Sequence, residues 1–427
     1  MRPPRPGSIA LAGALLALPV AAQETPRPLF PSAPPAEAPA PPEPGPSAMP
    51  PAAPIEVRDL AAPGAWPTGL SGAEADLGGP LWSDGVPADL AEMLGRLPTT
   101  ITEPTLVALQ TDLLAAPGPT EDPGYRLLGS RIERLLAMGE AETALEVLAG
   151  APEPPSPDLA ALRVQAQLAS GAVKPACEAV AGRPDEGPPW PEAELVCAAL
   201  ARDGTATELA LDRLSALGAE VDPSLAGLAR ASVADGRYAL RQTVKDDPVL
   251  LPLLRAVPID IDAEMVREQP VPVRKALAAN PFLASAARAA AVEPAPPPSL
   301  RTELNGTPPE DWGAAAAAVP DEKRARWAAL VDGLGLAIPD EIWSGLAGLP
   351  SVPPAEVPDL AYWHGFDVAS LDEQRGGLLL HLLLLLDGRP EEAAPVTLRR
   401  ALDGLLALGL DQDAKALAAG TGGALGL

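Results

Sequence analysis

Residues 128–148 read LGSRIERLLAMGEAETALEVL, and two apolar stripes run through them. Leu128, Ile132, Leu135 and Leu136 recur at i, i+4, i+7 and i+8, the spacing of one helical face. Beyond Gly139, Ala141, Ala144, Leu145 and Leu148 recur at i, i+3, i+4 and i+7. A glycine closing the first helix supplies the left-handed turn, and a small residue lets the second helix cross it closely. The stretch therefore predicts a helical hairpin.

That arrangement repeats along the chain. Gly139, Gly171, Gly204 and Gly236 lie at intervals of 32, 33 and 32 residues. Ala144 and Ala176 each follow their glycine by five residues, and Leu209 takes the corresponding place after Gly204. Late in the chain, Leu405 to Gly409 followed by Ala414 repeats the order of Leu135 to Gly139 and Ala144. Further helical segments, punctuated by proline and glycine, are expected over 87–97, 103–116, 321–333, 339–346, 371–388 and 397–419. The leucine run 378–386 is too short to span a membrane and reads as a buried central helix. Aromatic residues make up only 3% of the chain and β-branched residues are sparse, so strands are disfavoured. The fold class expected is all-α.

The hairpin unit of about 34 residues resembles tetratricopeptide-like helical repeats. The resemblance covers roughly residues 120–240 and, more loosely, 370–420. It departs from that family in lacking its aromatic positions and in having Leu209 where an alanine is usual. The resemblance implies hairpins stacked as an irregular α-solenoid.

The N-terminus carries a different signal. Arg2 and Arg5 precede an apolar stretch from Ile9 to Ala22, and Val20-Ala21-Ala22 offers a signal-peptidase site before Gln23. Cleavage after Ala22 removes two arginines and no acids, taking the net charge from −26 to −28. The expectation is export to the periplasm or beyond, with no membrane span left after cleavage. So acidic a surface repels phosphate backbones, so no nucleic-acid partner is expected. Thirteen prolines between Pro26 and Pro54 predict an extended, disordered segment. The expected organisation is a signal peptide at 1–22 and a Pro/Ala-rich linker at 23–66. A helical-repeat domain at 67–292, a Pro-rich linker at 293–309 and a C-terminal helical domain at 310–427 follow.

Little chemistry is assembled in the sequence. Cys177 and Cys197 fall in the second helix of one hairpin and the first of the next, each ten residues from Gly187, which predicts a structural disulfide. Two cysteines and two histidines, His364 and His381, provision a zinc site poorly. The alternating acids Asp260, Asp262 and Glu264, and Asp411 with Asp413, lack the glycine and distal glutamate of a calcium loop and read as helix starts. No G-x-S-x-G elbow or phosphate-cradling loop is present. No catalytic residue, metal or cofactor is expected. One aromatic cluster, Tyr362, Trp363, His364 and Phe366, reads as a short loop that either plugs the C-terminal helices or recognises a ligand. Trp312, Trp327 and Trp343, spaced by 15 and 16, read as one core anchor per helix. Taken together these features point to a non-catalytic scaffold for a protein partner. The alternatives are an envelope enzyme acting on glycan through carboxylates, or a structural spacer.

Overall fold

The structure, a computed structural model, describes residues 69–427 apart from 71, 74–76, 78–80, 83–86, 120–121, 152–154, 182–189, 220, 246, 293–300, 347–359 and 372–373. The expected signal peptide and the 23–66 linker lie outside the described residues. Within them the chain forms twenty α-helices and one pair of two-residue strands. The fold is all-α.

Helices α1 (Pro87–Leu94) and α2 (Pro104–Ala115) lead into the first hairpin, α3 (Arg126–Ala137) and α4 (Ala141–Ala149). Leu128, Ile132, Leu135 and Leu136 are buried, as are Ala141, Ala144 and Leu148. Burying each large side chain contributes about 1.5–3 kcal/mol. Gly139 takes the left-handed conformation at φ 76°. Its amide donates to the Leu136 carbonyl at 2.9 Å, and the Glu140 amide donates to Leu135 at 2.8 Å. Gly409 repeats that hydrogen-bonded closure, with Gly409 donating to Leu406 and Leu410 to Leu405, both at 2.9 Å.

Two more hairpins follow: α5 (Pro157–Ser170) with α6 (Val173–Ala181), and α7 (Trp190–Leu200) with α8 (Gly204–Ala216). Helix α9 (Pro223–Val233) succeeds them. Ser156, Asp203 and Asp222 cap α5, α8 and α9 by accepting hydrogen bonds from first-turn amides. First helices touch in sequence, α3 on α5, α5 on α7 and α7 on α9.

Here the sequence register needs correction. The left-handed turn residues are Gly139, Gly171, Arg202 and Asp235, at intervals of 32, 31 and 33 residues. Gly204 is instead the first residue of α8. Counting five from Arg202 gives Thr207, which is buried, and not Leu209, which is 67% exposed. The small residue at the crossing is therefore retained. After Asp235 no second helix follows; the chain enters strand β1 (Tyr238–Ala239).

Strand β1 pairs in parallel with β2 (Ile259–Asp260). Around them lie α10 (Leu251–Ala256), α11 (Ala263–Arg267), α12 (Val271–Ala278) and α13 (Ser285–Ala291). This segment folds back over the hairpins. The turn Pro248–Leu250 and α10 pack on α5 and α7, and α12 packs on α3. Arg255 donates to the Leu168 and Ala169 carbonyls at the end of α5. Lys275 does the same at the end of α3, on Met138 and Gly139. Cations at helix C-termini satisfy the last carbonyls and the helix dipole.

The C-terminal part contains α14 (Trp312–Ala317), α15 (Asp321–Gly333), α16 (Asp340–Leu346), α17 (Leu360–Leu371), α18 (Arg375–Leu386), α19 (Pro395–Ala407) and α20 (Asp411–Leu425). Helix α18 is the buried centre, with every residue from Leu378 to Leu386 buried except His381. Trp327 is fully buried and meets Trp312 edge-on at 6.4 Å, but Trp343 is 37% exposed and anchors no core. Of the 293–309 segment, residues 301–309 are described, and within them Glu303 and Leu304 are buried in a turn against α20. Helix α2 packs on α18 and α20, and the Thr102 hydroxyl reaches the Gly388 carbonyl at 3.1 Å. The described residues from 69 onward belong to one compact unit.

Candidate functional site

Cys177 of α6 and Cys197 of α7 are disulfide-bonded, their Cα atoms 5.6 Å apart. The bond ties the second hairpin to the third.

The aromatic cluster is not a loop. Tyr362, Trp363, His364 and Phe366 lie on helix α17. Phe366 is buried over Gly404 of α19, where an added Cβ would stand 2.9 Å from its ring, so the glycine opens its seat. Trp363 lies under the Arg400 guanidinium, 5.6 Å from the ring centroid. Tyr362 lies beside Arg96, while His364 is exposed. Phe366, Trp363 and Tyr362 thus go to separate neighbours. His381 packs against Gly365 and holds the Gly377 carbonyl at 2.7 Å, and burial pushes its pKa down.

The alternating acids are spent on local structure. Asp262 caps α11 by accepting from the Met265 amide at 2.8 Å, and Asp260 faces Arg241 at 3.8 Å. Asp411 and Asp413 stand in the first turn of α20, where the dipole favours negative charge.

A concave site lies elsewhere, on the first helices of the hairpins. A pocket of about 380 Å³ opens between α1, the turn before α3, the outer face of α3 and the start of α5. Two local features build it. Gly129 sits inside α3, one turn from its start, in ordinary helical conformation, where glycine costs up to about 1 kcal/mol relative to alanine. A Cβ added there would meet only Leu162, at 3.8 Å, an ordinary contact, so Gly129 borders open space that a side chain would enter. The second feature is the turn Gly124-Tyr125, with both residues left-handed at φ 72° and 55°. A non-glycine residue there costs on the order of 1–2 kcal/mol. Asp122 offsets this strain by accepting from the Leu127 and Leu128 amides, at 3.2 and 2.9 Å. The turn sets Tyr125 at the pocket wall.

Leu159 and Leu162 form the apolar lining, with Glu92, Glu133 and Asp158 as carboxylates and Arg126 as the guanidinium. Glu92 is ion-paired with Arg96 at 2.5 Å. Partial burial pushes the Glu133 carboxyl up; Arg134 opposes that shift and the nearby charge of Asp158 adds to it. Ser156 lends its hydroxyl to the Leu159 amide as a cap. Glu133 is also the shared wall of a second depression of about 180 Å³, lined by Leu136, Ala137, Gln165 and Pro248. The two form a short groove along α3 and α5. Pro248 bounds one end, because the returning segment covers the rest of that helical face.

The lining of the groove carries acids, one guanidinium, hydroxyls and apolar groups. The sequence held one signal for it, a glycine inside an otherwise regular amphipathic helix. No family model matches the chain, and neither does any curated protein or solved structure.

Proposed function

We propose that the protein is a non-catalytic helical-repeat adaptor of tetratricopeptide-like kind, exported to the periplasm or secreted, that holds a protein partner in the groove over α3 and α5. The observation carrying this reading is Gly129. A helix that keeps a glycine, at a cost in stability, beside an open pocket is explained by an occupant. The disulfide suits an oxidising compartment. The N-terminal apolar stretch ending at Ala22 supports export.

Crosslinking residues 23–427 in their native envelope, followed by mass spectrometry, tests the reading. One dominant protein is expected, lost with Gly129→Trp and kept with Gly129→Ala. Recovery of the same protein with the groove filled would contradict it.

A second reading rests on Glu133 and Asp158, two interacting carboxyls in one pocket. It makes the protein an envelope enzyme acting on glycan. On that reading purified protein turns over cell-wall glycan, and Glu133→Gln and Asp158→Asn each abolish turnover; absence of turnover by the unaltered protein sets it aside.

A further inference from the structure

The charges and shape of the groove specify more than a partner. Three carboxylates, Glu92, Glu133 and Asp158, line the larger pocket against one guanidinium, Arg126. Arg96 engages Glu92, and Arg134 donates to the Gly95 carbonyl while its charge still acts on Glu133, so Glu133 and Asp158 remain as the two acids of the lining beside the single cation Arg126. The pocket they line offers about 380 Å³, with Leu159 and Leu162 as apolar walls and no side chain at Gly129. A long side chain with an apolar stem and a cationic head fits such walls, the stem along the leucines and the head at the acids. Across Glu133, the smaller depression offers Leu136, Ala137 and Pro248, a setting for one apolar side chain. The chain as a whole carries a net charge of −26, which steers cations towards it and anions away.

We infer that the groove takes an extended basic peptide segment, with one lysine or arginine inserted between Glu133 and Asp158 and a nearby apolar residue in the Leu136–Pro248 depression. This rests on the adaptor reading above and names the chemistry of its partner. The protein–protein contact is small, so the segment binds with modest affinity and rapid exchange, and charge sets its specificity more than its strength. A cation arriving beside Glu133 also holds that carboxyl ionised, which makes binding weaken as the solution is acidified through the carboxylate range.

Fluorescence anisotropy with the full chain tests the inference directly. The probes are labelled alanine-rich heptapeptides carrying one leucine and one variable residue, separated by one, two or three alanines. The variable residue is arginine, lysine, norleucine or glutamate. The arginine and lysine peptides are expected to bind at least tenfold more tightly than the norleucine peptide, with the glutamate peptide weakest. Glu133→Gln with Asp158→Asn should erase the difference, and added salt should shrink it. Because both substitutions sit on the surface of the groove, far-ultraviolet circular dichroism and the unfolding midpoint check that the fold is kept. Equal binding of all four peptides, or retention of the preference in the double variant, overturns the basic-peptide inference and leaves the groove standing. If no peptide binds while the crosslinked partner still depends on Gly129, the inference fails and the adaptor reading survives. If neither peptide nor partner depends on Gly129, both fail.

Discussion

Lys275 closes the turn at Gly139 from 136 residues further along the chain, its ammonium 3.3 Å from the glycine carbonyl and 2.7 Å from the Glu140 carboxylate. An added Cβ on Gly139 would stand 3.0 Å from the Lys275 side chain and 3.3 Å from Pro272 Cα. The glycine thus serves two ends, the left-handed turn and the passage of a returning helix. Lys275→Met should cost about 1 kcal/mol, since the cap and a half-exposed ion pair are lost together. Gly139→Ala should cost more, about 2 kcal/mol, because strain at positive φ adds to the close approach. Urea midpoints of both single variants and the double variant check this; the double variant should lose less than the sum, since the two residues share one contact.

Arg131 is buried, and its guanidinium donates to the Leu114 and Ala116 carbonyls at the end of α2 while lying over the Trp82 ring at 5.9 Å. Arg131→Leu strips those carbonyls of their buried donor and should destabilise by about 3–5 kcal/mol. Arg131→Lys should recover only part, because one ammonium cannot reproduce a planar fork that bonds and stacks at once. Chemical denaturation of the two variants decides the matter; equal loss would show that the fork geometry contributes nothing.

Reduction of the Cys177–Cys197 bond should lower stability by about 3 kcal/mol, the loop-closure entropy of a short crosslinked segment. Thermal unfolding with and without reductant measures it, and Cys177→Ser should match the reduced protein. Thiol labelling of the unreduced protein should find no reactive sulfur.

Glu103 caps α2, accepting from the Leu106 amide at 3.0 Å, and sits against Gly420 of α20. Burial pushes its carboxyl up, against the hydrogen bonds from Leu106 and Thr105. A carboxyl that binds its proton more readily folded than unfolded favours folding at low pH, and that contribution fades as pH rises through the raised value. Glu103→Gln keeps an acceptor and removes the charge. The variant's urea midpoint should match the parent near pH 4 and exceed it at pH 7; an offset independent of pH would contradict the assignment.

Much of this was legible in the residues, and the limits have physical causes. The α3–α4 hairpin followed from its apolar spacing, and α18 from an unbroken leucine run, because burial leaves a periodic mark. The disulfide followed from two helices joined at a turn. Gly204 misled because the left-handed turn can be taken by Arg202 once the following helix is capped by Asp203. The register therefore slid by two, and Thr207 was passed over for Leu209. The aromatic segment is helical where its sequence suggests a loop, because its inner residue, Phe366, finds its seat only in Gly404, far along the chain. Beyond the glycine at 129, the groove leaves no mark in the sequence for the same reason: it exists only where α1, α3 and α5 meet. Nothing local announced that residues 248–278 would return to cover the neighbouring face.

The central claim is that the free face beside Gly129 is where the partner sits. A photo-crosslinking amino acid placed at Ser130, in the groove, tests it most directly, with a control at Leu217, which is 58% exposed at the end of α8. Irradiation in the native envelope should yield one crosslinked protein from Ser130 and none from Leu217, and the product should vanish when Glu133 and Asp158 are neutralised. The same crosslinks from both positions, or a product only from Leu217, would contradict the account.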